Sequence, residues 1–70
     1  MDTIDVVFDA DEDSWCVCKG RDKVRCYGNR RDAVNLGQSF ARRSRNVRLR
    51  IHNEQGRVES VLAYETAPAG

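Results

Sequence analysis

Hydrophobic and polar residues alternate along most of this chain, and in one stretch the period changes. Ile4, Val6 and Phe8 are spaced by Asp5 and Val7, a period of two that predicts a strand with one apolar face. Trp15 and Val17 repeat the pattern over Ser14 to Lys19, with Cys16 and Cys18 on the other face. Between them Ala10-Asp11-Glu12-Asp13 is a polar turn, so the two strands should form an antiparallel hairpin. Gly20-Arg21-Asp22-Lys23 is a second turn signal, and Val24 to Tyr27 reads as a short third strand. From Asn29 to Arg45 the period becomes helical. Ala33, Leu36, Gly37, Phe40 and Ser44 fall on one face, flanked by Val34 and Ala41. Arg31, Asn35, Gln38, Arg42 and Arg45 fall on the opposite face.

The ends of that segment carry helix signals. Asn29 is a good N-cap, because its side-chain oxygen can accept a free first-turn N–H. Asp32 gives a loose capping-box spacing and a negative charge at the positive end of the dipole. Asn46 is a natural C-terminal cap, which predicts a helix over 30–45. Gly37 in the apolar stripe costs about 1 kcal/mol of helix propensity against Ala, and its use there is to let a sheet come close.

After the helix, Val47, Leu49 and Ile51 alternate strictly with Arg48, Arg50 and His52. Asn53-Glu54-Gln55-Gly56 is a turn and Arg57 to Tyr64 the last strand. Two registers are open. A four-residue loop sets Ile51 opposite Val58, Val47 opposite Leu62 and Arg50 opposite Glu59; a three-residue loop with a bulge at Gly56 shifts them. The first is preferred because it turns Val58, Leu62 and Tyr64 toward the core. The expected fold is therefore α+β, in the order β-β-(β)-α-β-β: a small antiparallel sheet with one helix packed on one face. Its core would be Ile4, Val6, Phe8, Trp15, Val17, Ala33, Leu36, Phe40, Val47, Leu49, Ile51, Val58 and Leu62. The uncovered face would carry Asp5, Val7, Cys16, Cys18, Arg48, Arg50, His52, Glu59 and Val61.

Length makes this one domain over residues 1–70, with an ordered core over 3–65 and a flexible tail over 66–70 around Pro68. So short a chain buries only about 60% of its unfolded surface, and a homodimer is the expected remedy. No apolar run reaches the roughly 20 residues of a membrane span. The first residues lack the basic and apolar regions of a signal peptide, so the expected setting is the cytoplasm, with the three cysteines reduced.

Twelve bases face eleven acids, so the net charge is only +1, but the layout is uneven. Residues 1–13 hold six acids and no base; most of the bases lie between Lys19 and Arg50. Such asymmetry marks a nucleic-acid surface or a charge-complementary self-contact.

Trp15-x-Val17 after a short first strand, the helix residue Ala33, and Leu49-Arg50-Ile51-His52 followed by Gly56-Arg57-Val58 and Tyr64 form an ordered set. In this set the chain resembles a family of short bacterial domains of unknown function, over roughly Ile4 to Tyr64. The resemblance implies a compact α+β fold and brings no known activity. A weaker similarity is to small antitoxins of the HicB type, which also run β-β-β-α.

Candidate chemistry is sparse. Cys16, Cys18, Cys26 and His52 supply the donor count of a tetrahedral zinc site, but C-x-C is not the usual knuckle spacing, so no metal site is expected. His52, the one histidine, would need an orienting partner such as Asp5 or Glu59 before it could act as a base. No phosphate loop, H-E-x-x-H or G-x-S-x-G motif occurs. No catalytic residue and no cofactor are expected, and an enzyme is not. The strongest feature is the arginine set. Arg42, Arg43, Arg45, Arg48 and Arg50 are the candidate contacts for a partner protein or for nucleic-acid phosphates, which arginine's planar fork suits. The preferred reading is a protein-interaction or self-associating module; the alternative is a phosphate-directed nucleic-acid-binding protein, regulatory or antitoxin-like.

Overall fold

The structure, a computed structural model, describes residues 2–44 and 46–64. Its elements are β1 (Asp2–Asp9), β2 (Ser14–Lys19), β3 (Asp22–Tyr27), α1 (Arg30–Arg43), β4 (Val47–His52) and β5 (Val58–Tyr64). All five strands form one sheet in the order β3-β2-β1-β4-β5. The α+β class and element order are those the hydrophobic pattern predicts. The expected tail over 66–70 lies outside the described residues. No helix among the described residues is long and apolar enough to cross a membrane.

The sheet is mixed rather than wholly antiparallel. β1 pairs antiparallel with β2, but parallel with β4, which sets Asp5 beside Arg50 and Val6 beside Ile51. β1 thus becomes the central strand, and Ile4 and Val6 lose all solvent contact. A period-two pattern states which residues share a face. It is silent on which strands are neighbours, so the parallel pairing had no signature.

The helix forms where its ends predict. Asn29 Oδ1 accepts the Asp32 N–H at 2.9 Å, and Asn29 Nδ2 donates to Asp32 Oδ2 at 3.1 Å. It ends earlier than expected. Ser44 is the C-cap, its N–H donating to Phe40 O, and Asn46 takes a left-handed conformation at φ 55° just beyond. The buried line is Ala33, Gly37 and Ala41, with Val34, Leu36 and Phe40 partly buried beside it. Small residues therefore face the sheet, and the larger ones wedge in from the sides. A Cβ on Gly37 would lie 3.1 Å from Leu49 Cδ1 and 3.1 Å from Val6 Cγ2. Gly37 is where the helix rests on β1 and β4.

The remaining core is Trp15, Val17, Val47, Leu49 and Ile51, with Phe8, Tyr27 and Tyr64 against it. Phe8 packs on Trp15 with ring centroids 5.0 Å apart. Two expected core residues are not buried: Val58 is 45% and Leu62 38% exposed. The hairpin register explains Val58. Asn53 N–H donates to Arg57 O and Gly56 N–H to Asn53 O, closing a three-residue loop with Gly56 at φ 83°. Asn53 Oδ1 also accepts from the Gln55 and Arg57 N–H groups. The side-chain amide thus favours the tighter loop over the preferred four-residue one. A second irregularity follows, pairing Ile51 with Ser60 and His52 with Val58. Val58 is turned to the uncovered face, while Glu59 reaches the helix and bonds Arg30 at 2.7 Å. Leu62 and Tyr64 keep the face expected of them, opposite Leu49 and Val47.

The contact at Gly37 gives a direct test. Gly37→Leu should lower the urea midpoint by the equivalent of about 1–3 kcal/mol or more, because Val6 and Leu49 are wholly buried and have no room to withdraw. A midpoint raised by the gain in helix propensity would show that the helix can lift off the sheet.

Candidate functional site

Alternation along β1 and β4 carries Asp5, Arg50 and His52 to the face without a helix. There they converge. Arg50 Nε donates to Asp5 Oδ1 at 2.7 Å and its Nη2 to Oδ2 at 3.2 Å, a two-pronged ion pair. His52 Nε2 lies 3.0 Å from the same Oδ1, and its Nδ1 lies 3.4 Å from Gly56 O. Carboxylate and carbonyl oxygens thus flank the ring on both of its nitrogens. Asp5 is the orienting partner of His52, and Glu59 is not, having turned to the helix side. Burial alone would raise the Asp5 carboxyl; the hydrogen bonds and charges of Arg50 and His52 outweigh it and hold the group below its ordinary 3.8.

The cysteines differ from expectation. Cys16 and Cys26 sit directly opposite one another on β2 and β3 and are joined as a disulfide. The expected set of three reduced thiols is corrected to one bond and one free thiol, Cys18. Strand pairing is the reason: two cysteines opposite each other on one face have their sulfurs within bonding reach. Cys18 lies opposite Asp5. Burial pushes its thiol up, with Asp5 adding to the rise and Lys23 opposing it. Among the described residues no group of three or more His, Cys, Asp and Glu side chains could hold a metal ion.

The candidate arginines are spread over both faces. Arg42 and Arg43 are exposed in the last turn of α1, where they complement the helix dipole. Arg48 is exposed on the opposite side of the sheet, between Thr3 and Ala63. Arg50 is held by Asp5. Arg45 lies outside the described residues. Arg30, which is not among those candidates, is the best-placed arginine. Its guanidinium lies 5.6 Å over the Trp15 ring and bonds Glu59. With Trp15, Asn53, Glu54, Gln55 and Glu59 it lines a cleft of about 290 Å³. Nothing in the helical pattern of Arg30 distinguishes it from Arg31.

The two outer strands contrast sharply. β3 carries Asp22, Lys23 and Arg25, has a bulge between Val17 and Cys18 of its partner pairing, and is stapled to β2. Charge and a bulge are the usual ways to blunt a sheet edge. β5, Val58-Glu59-Ser60-Val61-Leu62-Ala63-Tyr64, has one charge, and that charge is bound by Arg30. Every β5 residue but Tyr64 is exposed, including Val61 at 52%.

The family model described as "Uncharacterized protein conserved in bacteria (DUF2188)" matches residues 4–64. This bears out the resemblance read from Trp15-x-Val17 and the Ile51-His52 hairpin; no likeness to HicB-type antitoxins is shown. No curated protein and no solved structure matches the chain.

The Asp5 cluster sets an acid dependence. A carboxyl whose folded pKa is depressed stabilises the fold above its unfolded value, and that contribution is lost as pH falls toward the lower folded value. The wild-type urea midpoint should therefore drop on acidification below the ordinary 3.8 of this group. Asp5→Asn should start lower near neutral pH and fall less steeply. An acid limb of equal steepness in both proteins would remove Asp5 from this role.

Proposed function

Because the chain belongs to an uncharacterised bacterial family, whose description carries no activity, we propose from its own geometry that it is a non-enzymatic module that pairs with a second copy of itself. The observation that carries this reading is β5. An edge strand that is long, exposed, apolar on both faces and nearly uncharged is a template for another strand. β5 set antiparallel against β5 of a second copy brings together apolar side chains, and the one charge on each strand is already neutralised by Arg30. The other edge is blunted, so pairing closes at two copies instead of growing into a filament. The non-enzymatic part of the proposal is supported by His52: both ring nitrogens are engaged by Asp5 and Gly56.

A second reading keeps Arg42, Arg43 and Arg48, all exposed, as phosphate contacts for nucleic acid. It is the weaker, because the helix and the far sheet face separate them and Arg50 is already paired.

Sedimentation equilibrium at micromolar concentrations divides these. The mass should rise from 8.0 kDa toward twice that value with concentration, and Val61→Lys with Leu62→Lys should hold it at 8.0 kDa with unchanged circular dichroism. A wild-type mass fixed at 8.0 kDa, or a double variant that associates as well as wild type, sinks the proposal. Binding of mixed-sequence DNA that weakens by roughly one log unit per phosphate contacted for each tenfold rise in salt, and that Arg43→Glu with Arg48→Glu abolishes, would establish the second reading instead.

A further inference from the structure

We infer that the Cys16–Cys26 bond is a thiol-exchange site with a built-in direction: a small thiolate attacks Cys26, and Cys16 is the sulfur that leaves. The two halves of the bond have unlike surroundings. Cys26 stands on β3, an edge strand exposed from Asp22 to Cys26. Cys16 stands on β2, between β1 and β3, and is 1% exposed. Exchange needs the incoming sulfur to approach in line behind the sulfur it attacks. Cys26 is the exposed half of the bond and Cys16 the enclosed half, so access favours attack at Cys26. The leaving side is also prepared, because Ser14 Oγ lies 3.8 Å from Cys16 Sγ, close enough for the hydroxyl to donate to the departing thiolate.

The step balances with one co-reactant, a low-molecular-weight thiol. Its thiolate forms a bond to Cys26 Sγ, the Cys16–Cys26 bond breaks, and the electron pair leaves on Cys16 Sγ, which then takes a proton. A second thiolate attacks the small thiol's own sulfur in that mixed disulfide. It releases the oxidised dimer of the thiol and leaves Cys26 reduced. Two electrons pass from two small thiols to the protein disulfide.

Cys18 is the internal competitor, two residues from Cys16 on the same strand and the same face. It is a poor one. Its thiol is half-buried and pushed up by that burial and by Asp5, so little thiolate is present to attack. Cys18 is a bystander to the exchange.

The test uses the full chain, mildly oxidised, with Cys18→Ser alongside wild type. Folded protein is exposed briefly to limiting glutathione, quenched with acid, alkylated, digested and mapped by mass spectrometry. The glutathione adduct should favour Cys26 over Cys16 by roughly tenfold or more, since access decides which sulfur is attacked. In denaturant the ratio should collapse toward one, and Cys18→Ser should behave as wild type. An adduct on Cys16, or equally on both, in the folded protein overturns the inference. So does a ratio that persists in denaturant, an adduct carried mainly by Cys18, or three titratable thiols after oxidation.

Discussion

One helix has to cover a sheet wider than itself. With side chains a helix is about 10–12 Å across. Five strands at about 4.8 Å spacing put roughly 19 Å between the outermost ones. The helix is set over β1, β2, β3 and β4. The wholly buried strand residues, Ile4, Val6, Val17, Val47 and Leu49, come from β1, β2 and β4. Gly37 makes this central contact close, and the small residues Ala33 and Ala41 extend it along the helix. β5, which the helix does not cover, is held by its ladder to β4 and one ion pair between Arg30 and Glu59, while β3 at the other edge is stapled to β2 by a covalent bond.

The face with no helix is organised by a carboxylate. Asp5 draws in Arg50 from the parallel neighbour and His52 from the same strand's end. Asp9 at the end of β1 binds Lys23 of β3 in the same way. Part of the charge asymmetry along the chain is thus answered within it: an acidic first strand and turn lie between basic strands. This is why a count of arginines overstates the basic surface. Arg30 and Arg50 are spoken for, whereas Arg42, Arg43 and Arg48 remain exposed on two sides.

Much of the fold was legible because its elements depend on local rules. The Asn29 cap, the strict alternation in β4 and the crowded place of Gly37 are each a matter of a few neighbouring residues. The failures are matters of pairing. Nothing in Ile4 to Phe8 states that β4 will lie parallel beside it. The hairpin was misjudged because burying Val58 was weighed above the capacity of Asn53 to hold a three-residue loop. Leu62 faces the right way and is still exposed, since no helix lies over β5. For the site, His52 and Asp5 could be named as partners from their shared face. The disulfide was missed because it needs the register of β3, whose start lies two residues earlier than Val24. Arg30 on Trp15 had no sequence signal.

The parallel pairing of β1 and β4 has a consequence for how the chain is made. β1 is synthesised first, and β2 and β3 can zip onto one of its edges as they follow. Its other edge waits for a strand some 45 residues later, the separation between Asp5 and Arg50. Until then the nascent meander presents an open backbone edge on β1. The sheet can close on that side only once β4 has followed the helix. The central strand of the finished sheet is thus an edge strand of the newborn one.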